Sequence, residues 1–133
     1  MTDSDPVPAD GGSADGAPQV LATHVPAVAD EAGLTESELR ALVGELNASV
    51  ADYPGVSDLV FEYRRAFSHD PLIERAGGTY FLLVPPRVWP EFGTALDVDD
   101  RSLAALRAVH ERAFSAGTEF EEHGDWVPLV LVG

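Results

Sequence analysis

The stretch Leu72 to Pro85, LIERAGGTYFLLVP, places two short β-prone runs on either side of a glycine pair. Gly77-Gly78 supplies the positive φ that a tight reversal demands, so the segment predicts a hairpin with strands Leu72–Arg75 and Thr79–Val84. The second of these is the more apolar and is expected at the centre of the sheet. Pro85-Pro86 ends it and opens a short helix carrying Val88, Trp89 and Phe92. A third β-rich run, WVPLVLV, spans Trp126 to Val132. Pro128 cannot donate to a ladder, so this strand is expected at an edge or with that side unpaired.

Outward from the hairpin the pattern turns helical. Ser57–Phe67 reads two ways, because Leu59, Phe61 and Tyr63 alternate like a strand while Leu59, Val60, Tyr63, Ala66 and Phe67 gather on one helical face. The helix takes more apolar residues and has Ser57 as a candidate cap, so it is the preferred reading. Upstream, Thr35 as N-cap, Glu38 reaching back and the Leu34/Leu39 staple mark a helix start, followed by an apolar stripe through Leu39, Leu42, Val43, Leu46, Val50 and Tyr53. Gln19–Ala32 predicts an earlier helix, with Pro26 near its start or bending it and Gly33 ending it. Downstream, Asp99 caps a helix to about Ala116, stapled by Val98 and Leu103. The expectation is an α+β domain over 19–133, with four or five helices packed on one face of a small, mainly antiparallel sheet of about three strands. Residues 1–18 are rich in Pro, Gly, Asp and Ser and are expected to form a disordered acidic tail.

The chain has 133 residues, enough for one core. It carries 23 acidic against 8 basic residues, a net charge of −15, and all the basic residues are Arg. Such charge strains a small domain by self-repulsion in dilute buffer, but at molar salt the Debye length falls to about 3 Å and screens it. This Lys-free, Asp-rich composition resembles that of cytosolic proteins of salt-in haloarchaea. The resemblance implies a cytoplasmic setting in concentrated electrolyte. The absence of Cys excludes disulfides, thiol nucleophiles and thiolate zinc sites. Apolar runs such as YFLLV at Tyr80 to Val84 are far shorter than the roughly 20 residues of a membrane helix, and the N-terminus lacks the basic and apolar regions of a signal peptide. The sequon Asn47-Ala48-Ser49 falls inside an expected helix and reads as chance.

Candidate chemistry is sparse. Ser68-His69-Asp70 spells triad letters, but a working triad converges from separate parts of a fold, and Asp70-Pro71 reads better as a turn. His110-Glu111 begins the zinc motif H-E-x-x-H, yet Phe114 stands where the second His belongs. His110 shares an apolar helical face with Leu103, Leu106 and Ala113, the setting of a neutral core histidine before that of a catalytic one. The acidic loop Glu119, Glu121, Glu122, His123 and Asp125 does not match calcium-loop spacing. No metal and no cofactor is therefore assigned. Trp89 and Trp126 are expected as core anchors whose indole N–H groups reach carbonyls.

Residues 28–46, VADEAGLTESELRALVGEL, resemble the helix-turn-helix family over roughly twenty residues. The resemblance implies a second helix in the DNA major groove, with Ser37 and Arg40 among its outward residues beside Glu36 and Glu45. The one local reversal of charge is Phe61, Arg64 and Arg65, an aromatic and basic spot whose default reading is a solvated helix face and whose sharper reading is a recognition patch for an acidic partner. The preferred function is a non-catalytic protein-interaction or regulatory module with a protein partner. A helix-turn-helix regulator comes second and a small enzyme built around His110 third. The edge of the C-terminal strand is expected either to pair with a second copy or to be covered by the first helix.

Overall fold

The computed structural model describes residues 17–52, 55–120 and 124–133; the tail expected over 1–18 falls almost wholly outside them. The elements run α1 (Gln19–Ala22), α2 (Val25–Ala32), α3 (Glu36–Asp52), α4 (Val56–Ala66), β1 (Leu72–Ala76), β2 (Thr79–Val84), α5 (Val88–Leu96), α6 (Asp100–Gly117) and β3 (Val127–Val132). The architecture is α+β, with six helices and an antiparallel sheet of order β1-β2-β3 among the described residues. The helix count exceeds the expected four or five because the segment before Gly33 splits. Thr23 and His24 turn the chain, and Pro26 then lies in the first turn of α2, where its missing N–H costs no intrahelical bond. Ala17, expected within the tail, is buried in the core.

Local chemistry sets the other helix starts. At α3 the Thr35 hydroxyl accepts from the Glu38 N–H at 3.0 Å, and the Glu38 carboxylate accepts from the Thr35 N–H at 3.1 Å. At α6 Asp99 accepts from the Ser102 N–H at 2.8 Å. Residues 57–67 are mostly helical, but Ser57 is not the cap. Gly55 holds that position at φ 99°, a conformation open to glycine, so the helix begins two residues sooner and buries Val56.

Tyr80 to Val84 are all buried, so both faces of β2 are covered, in contrast to the one-face packing expected. Alternation puts Phe81 and Leu83 on one face and Tyr80, Leu82 and Val84 on the other. On the first, α6 comes so close that a Cβ on Gly117 would overlap the Phe81 ring, and Phe114 meets that ring edge-on at 6.4 Å. On the second, the start of α4 approaches: a Cβ on Gly133 would lie 2.9 Å from Val56 and 3.5 Å from Tyr80.

β3 is an edge strand, as Pro128 predicted, and the register explains how the proline is tolerated. Leu83 pairs across from Pro128 but gives its N–H to Pro71 on the other side, at 2.8 Å. Pro128, Val130 and Val132 therefore turn their backbone groups away from β2. Side chains from three helices meet them there. Trp89 of α5 donates to the Pro128 carbonyl at 3.3 Å, His110 Nδ1 of α6 accepts from the Val130 N–H at 3.0 Å, and Asn47 of α3 both accepts from the Val132 N–H (2.8 Å) and donates to its carbonyl (2.9 Å). A second copy adding a strand here would have to displace these groups. Asn47→Ala removes both bonds to Val132 and is expected to cost about 2 kcal/mol, read as a lower midpoint in denaturant unfolding. An unchanged midpoint would mean that water replaces Asn47 at no cost.

Candidate functional site

His110 stands first among the residues with chemistry to offer. It is 1 % exposed, its Nδ1 is occupied by Val130, and its Nε2, the nitrogen that must carry the proton, is buried without a hydrogen-bond partner among the described residues. Its ring meets Trp89 edge-on, with centroids 4.9 Å apart. Burial pushes its pKa down to about 3, so it is a neutral imidazole at ordinary pH. None of the described cavities opens onto it.

The helix-turn-helix segment forms α2, a turn and α3, but α3 is the central helix of the core. It packs against α1, α2, α4, α5, α6 and β3 and buries Leu39, Val43, Leu46, Asn47 and Val50. Its exposed side carries Glu36, Ser37, Glu38, Glu45 and Asp52, while Arg40 is tied to Glu36 at 3.7 Å. A phosphate backbone would meet carboxylates there.

Of the expected patch on α4, Phe61 and Arg65 come together and Arg64 turns away. Phe61 is 60 % exposed with the Arg65 guanidinium 5.8 Å from its ring centre, and Arg65 also pairs with Glu62 at 3.5 Å. Arg64 instead donates to Asp70 at 3.1 Å, and the same Asp70 oxygen accepts from the Leu72 N–H at 3.1 Å. The Arg64 bond first, and then the Leu72 bond, hold the Asp70 carboxyl below its ordinary pKa. The triad-like letters at 68–70 are thus a loop closure.

That closure builds a site the sequence did not single out. Pro71 has no N–H for the Leu83 carbonyl that faces it, and His69 supplies the missing donor, Nε2–H to Leu83 O at 2.9 Å. Its position fixes a row of rings: Tyr63 on Phe67 at 4.7 Å, Phe67 near-parallel to His69 at 5.7 Å, and His69 on Trp126 at 3.7 Å. Trp126 is therefore half-buried against His69 instead of anchoring the core as Trp89 does. Burial, and then the charge of Glu91, raise the Tyr63 pKa to about 12. Beside this row a cleft of about 260 Å³ is lined by Ala66, Phe67, Ser68, Pro85, Arg87 and Trp126. The exposed Arg87 guanidinium lies 5.5 Å from the Phe67 ring centre, and among the described residues no carboxylate pairs with it.

A larger, shallower groove of about 640 Å³ lies between α2 and α6, lined by His24, Glu31, Glu111 and Arg112 among others. Its principal charges satisfy each other, Arg112 donating to Glu31 at 2.9 Å. Burial, and then the nearby Arg112, lower the His24 pKa. Among the described residues no group of His, Asp and Glu is gathered to hold a metal ion, and Glu121, Glu122 and His123 of the acidic loop lie outside them. No described helix is long and apolar enough to cross a membrane.

Residues 18–129 match the model of one protein family, described as Domain of unknown function (DUF8048). No curated protein and no solved structure matches the chain.

Proposed function

The chain belongs to the DUF8048 family, and we propose that this member is an acidic cytosolic protein of halophilic type that works without catalysis, as a protein-interaction or regulatory module. The observation that carries the reading is the outer face of α4. Phe61, 60 % exposed, stands with Arg65 on a molecule of net charge −15. An exposed large aromatic beside a guanidinium is the composition of an interface hot spot, and the surrounding carboxylates keep the rest of the surface from associating. The sealed surroundings of His110 weigh against an enzyme.

The test is capture at molar KCl on immobilised wild-type chain and on Phe61→Asp, followed by rebinding with the captured protein purified separately. The reading expects a partner that binds wild type and weakens by about tenfold or more with Phe61→Asp. Indistinguishable capture by the two forms would remove α4 as the interface. The halophilic assignment has its own check, since screening of the −15 charge should raise the unfolding midpoint as KCl increases from millimolar to molar. A midpoint indifferent to salt would detach the charge from habitat.

A further inference from the structure

We propose that the cleft between the end of α4 and the end of β2 is an anchor pocket for an extended, acidic, proline-containing segment of a partner protein. The proposal rests on the interaction-module reading and names the chemistry of its partner.

Size comes first. At about 260 Å³ the cleft falls below the roughly 300–1,000 Å³ of pockets that enclose whole small ligands, and it suits one or two side chains of a longer chain. The lining comes second. Phe67 and Trp126 belong to a ring stack locked by the His69 bond to Leu83, and Pro85 completes an apolar wall. Rigid aromatic walls favour proline rings, because a polyproline-type segment is already extended before it binds and loses little entropy on docking.

Charge comes third. Arg40, Arg64, Arg65 and Arg112 each hold a carboxylate of this chain, whereas Arg75, Arg87, Arg101 and Arg107 pair with none among the described residues, and of these Arg87 is the one that lines the cleft, where it rests on the Phe67 ring. A guanidinium left open at the mouth of an apolar cleft, on a surface otherwise rich in carboxylates, selects an anionic group at one point. A polyanion such as single-stranded nucleic acid also stacks on aromatic rings, but it would meet one cation here and net repulsion elsewhere.

The experiment titrates the full chain at molar KCl with three probes: a blocked peptide of alternating aspartate and proline, its arginine–proline counterpart, and oligothymidylate. Binding is followed by calorimetry and by amide and indole NMR shifts. The acidic peptide should bind saturably and shift Ala66, Phe67, Ser68, Arg87 and Trp126. Arg87→Glu should weaken it by about tenfold or more, Arg87→Lys less, with melting temperatures unchanged because Arg87 is exposed. Phe61→Asp should leave this binding intact.

Binding that survives Arg87→Glu, tighter binding of oligothymidylate or of the arginine peptide, or no saturable binding would overturn the proposal. Shifts confined to Phe61 and Arg65, or loss of peptide binding while the Phe61-dependent partner is retained, would overturn the pocket and leave the interaction module standing.

Discussion

Acidification from about pH 6.5 to about pH 3 is expected to cost the folded chain roughly 5 kcal/mol through His110 alone. The native imidazole stays neutral down to about pH 3 because it is sealed in the core. The unfolded imidazole takes a proton below its ordinary value of 6.5. Within that window the unfolded state binds more protons, so stability falls by about 1.4 kcal/mol for each unit of pH lowered, and above it the contribution is flat. Carboxylates titrate in the same range, and a variant separates the two effects. His110→Asn keeps an acceptor for the Val130 N–H and removes the titrating ring, so its stability should fall less steeply between pH 6 and pH 4. Denaturant unfolding at fixed KCl measures both slopes, and equal slopes would show that His110 protonates in the folded state. At neutral pH, His110→Ala leaves the Val130 N–H orphaned and a void beside Trp89, at a cost of about 3 kcal/mol or more.

Trp89→Ala is expected to destabilise the fold by about 3–5 kcal/mol, a large share of what a domain of this size possesses. Trp89 is wholly buried, packs edge-on against His110 at 4.9 Å and Phe92 at 5.8 Å, and reaches across to the Pro128 carbonyl. Alanine loses the packing and the bond together. Trp89→Phe keeps most of the bulk and deletes the donor, so it should cost nearer 1–2 kcal/mol. Thermal or urea unfolding of the two variants compares the contributions. Equal losses would assign the stabilisation to the hydrogen bond and not to the volume.

What the sequence disclosed was local. The Thr35/Glu38 box and the Asp99 cap were readable because each operates within three residues. The hairpin was readable because a glycine between two β-prone runs can take the left-handed φ of a tight reversal, as Gly77 does at 59°. The apolar stripe around His110 was visible too, but its partner Val130 lies 20 positions away and no spacing announces it. Asn47 is the sharper case. In the sequence it belonged to a chance sequon, and in the fold it meets Val132 across 85 positions. The cleft stayed hidden for the same reason, since Phe67, Arg87 and Trp126 come from separate segments and converge only after His69 substitutes for a proline's missing donor. Ser57 misled because serine is a good cap in isolation, whereas the burial of Val56 decided where α4 starts.

Asn47, His110 and Trp89 also act as a proofreader of strand alignment. They query alternate residues of β3, and each asks for a different answer: a donor with an acceptor at Val132, a donor at Val130, an acceptor at Pro128. A slip of one residue would turn the wrong backbone groups toward all three. A slip of two that brought Pro128 opposite His110 would offer the imidazole a nitrogen with no hydrogen. A run as repetitive as VPLVLV could otherwise lie at several settings along β2, and these three side chains accept one.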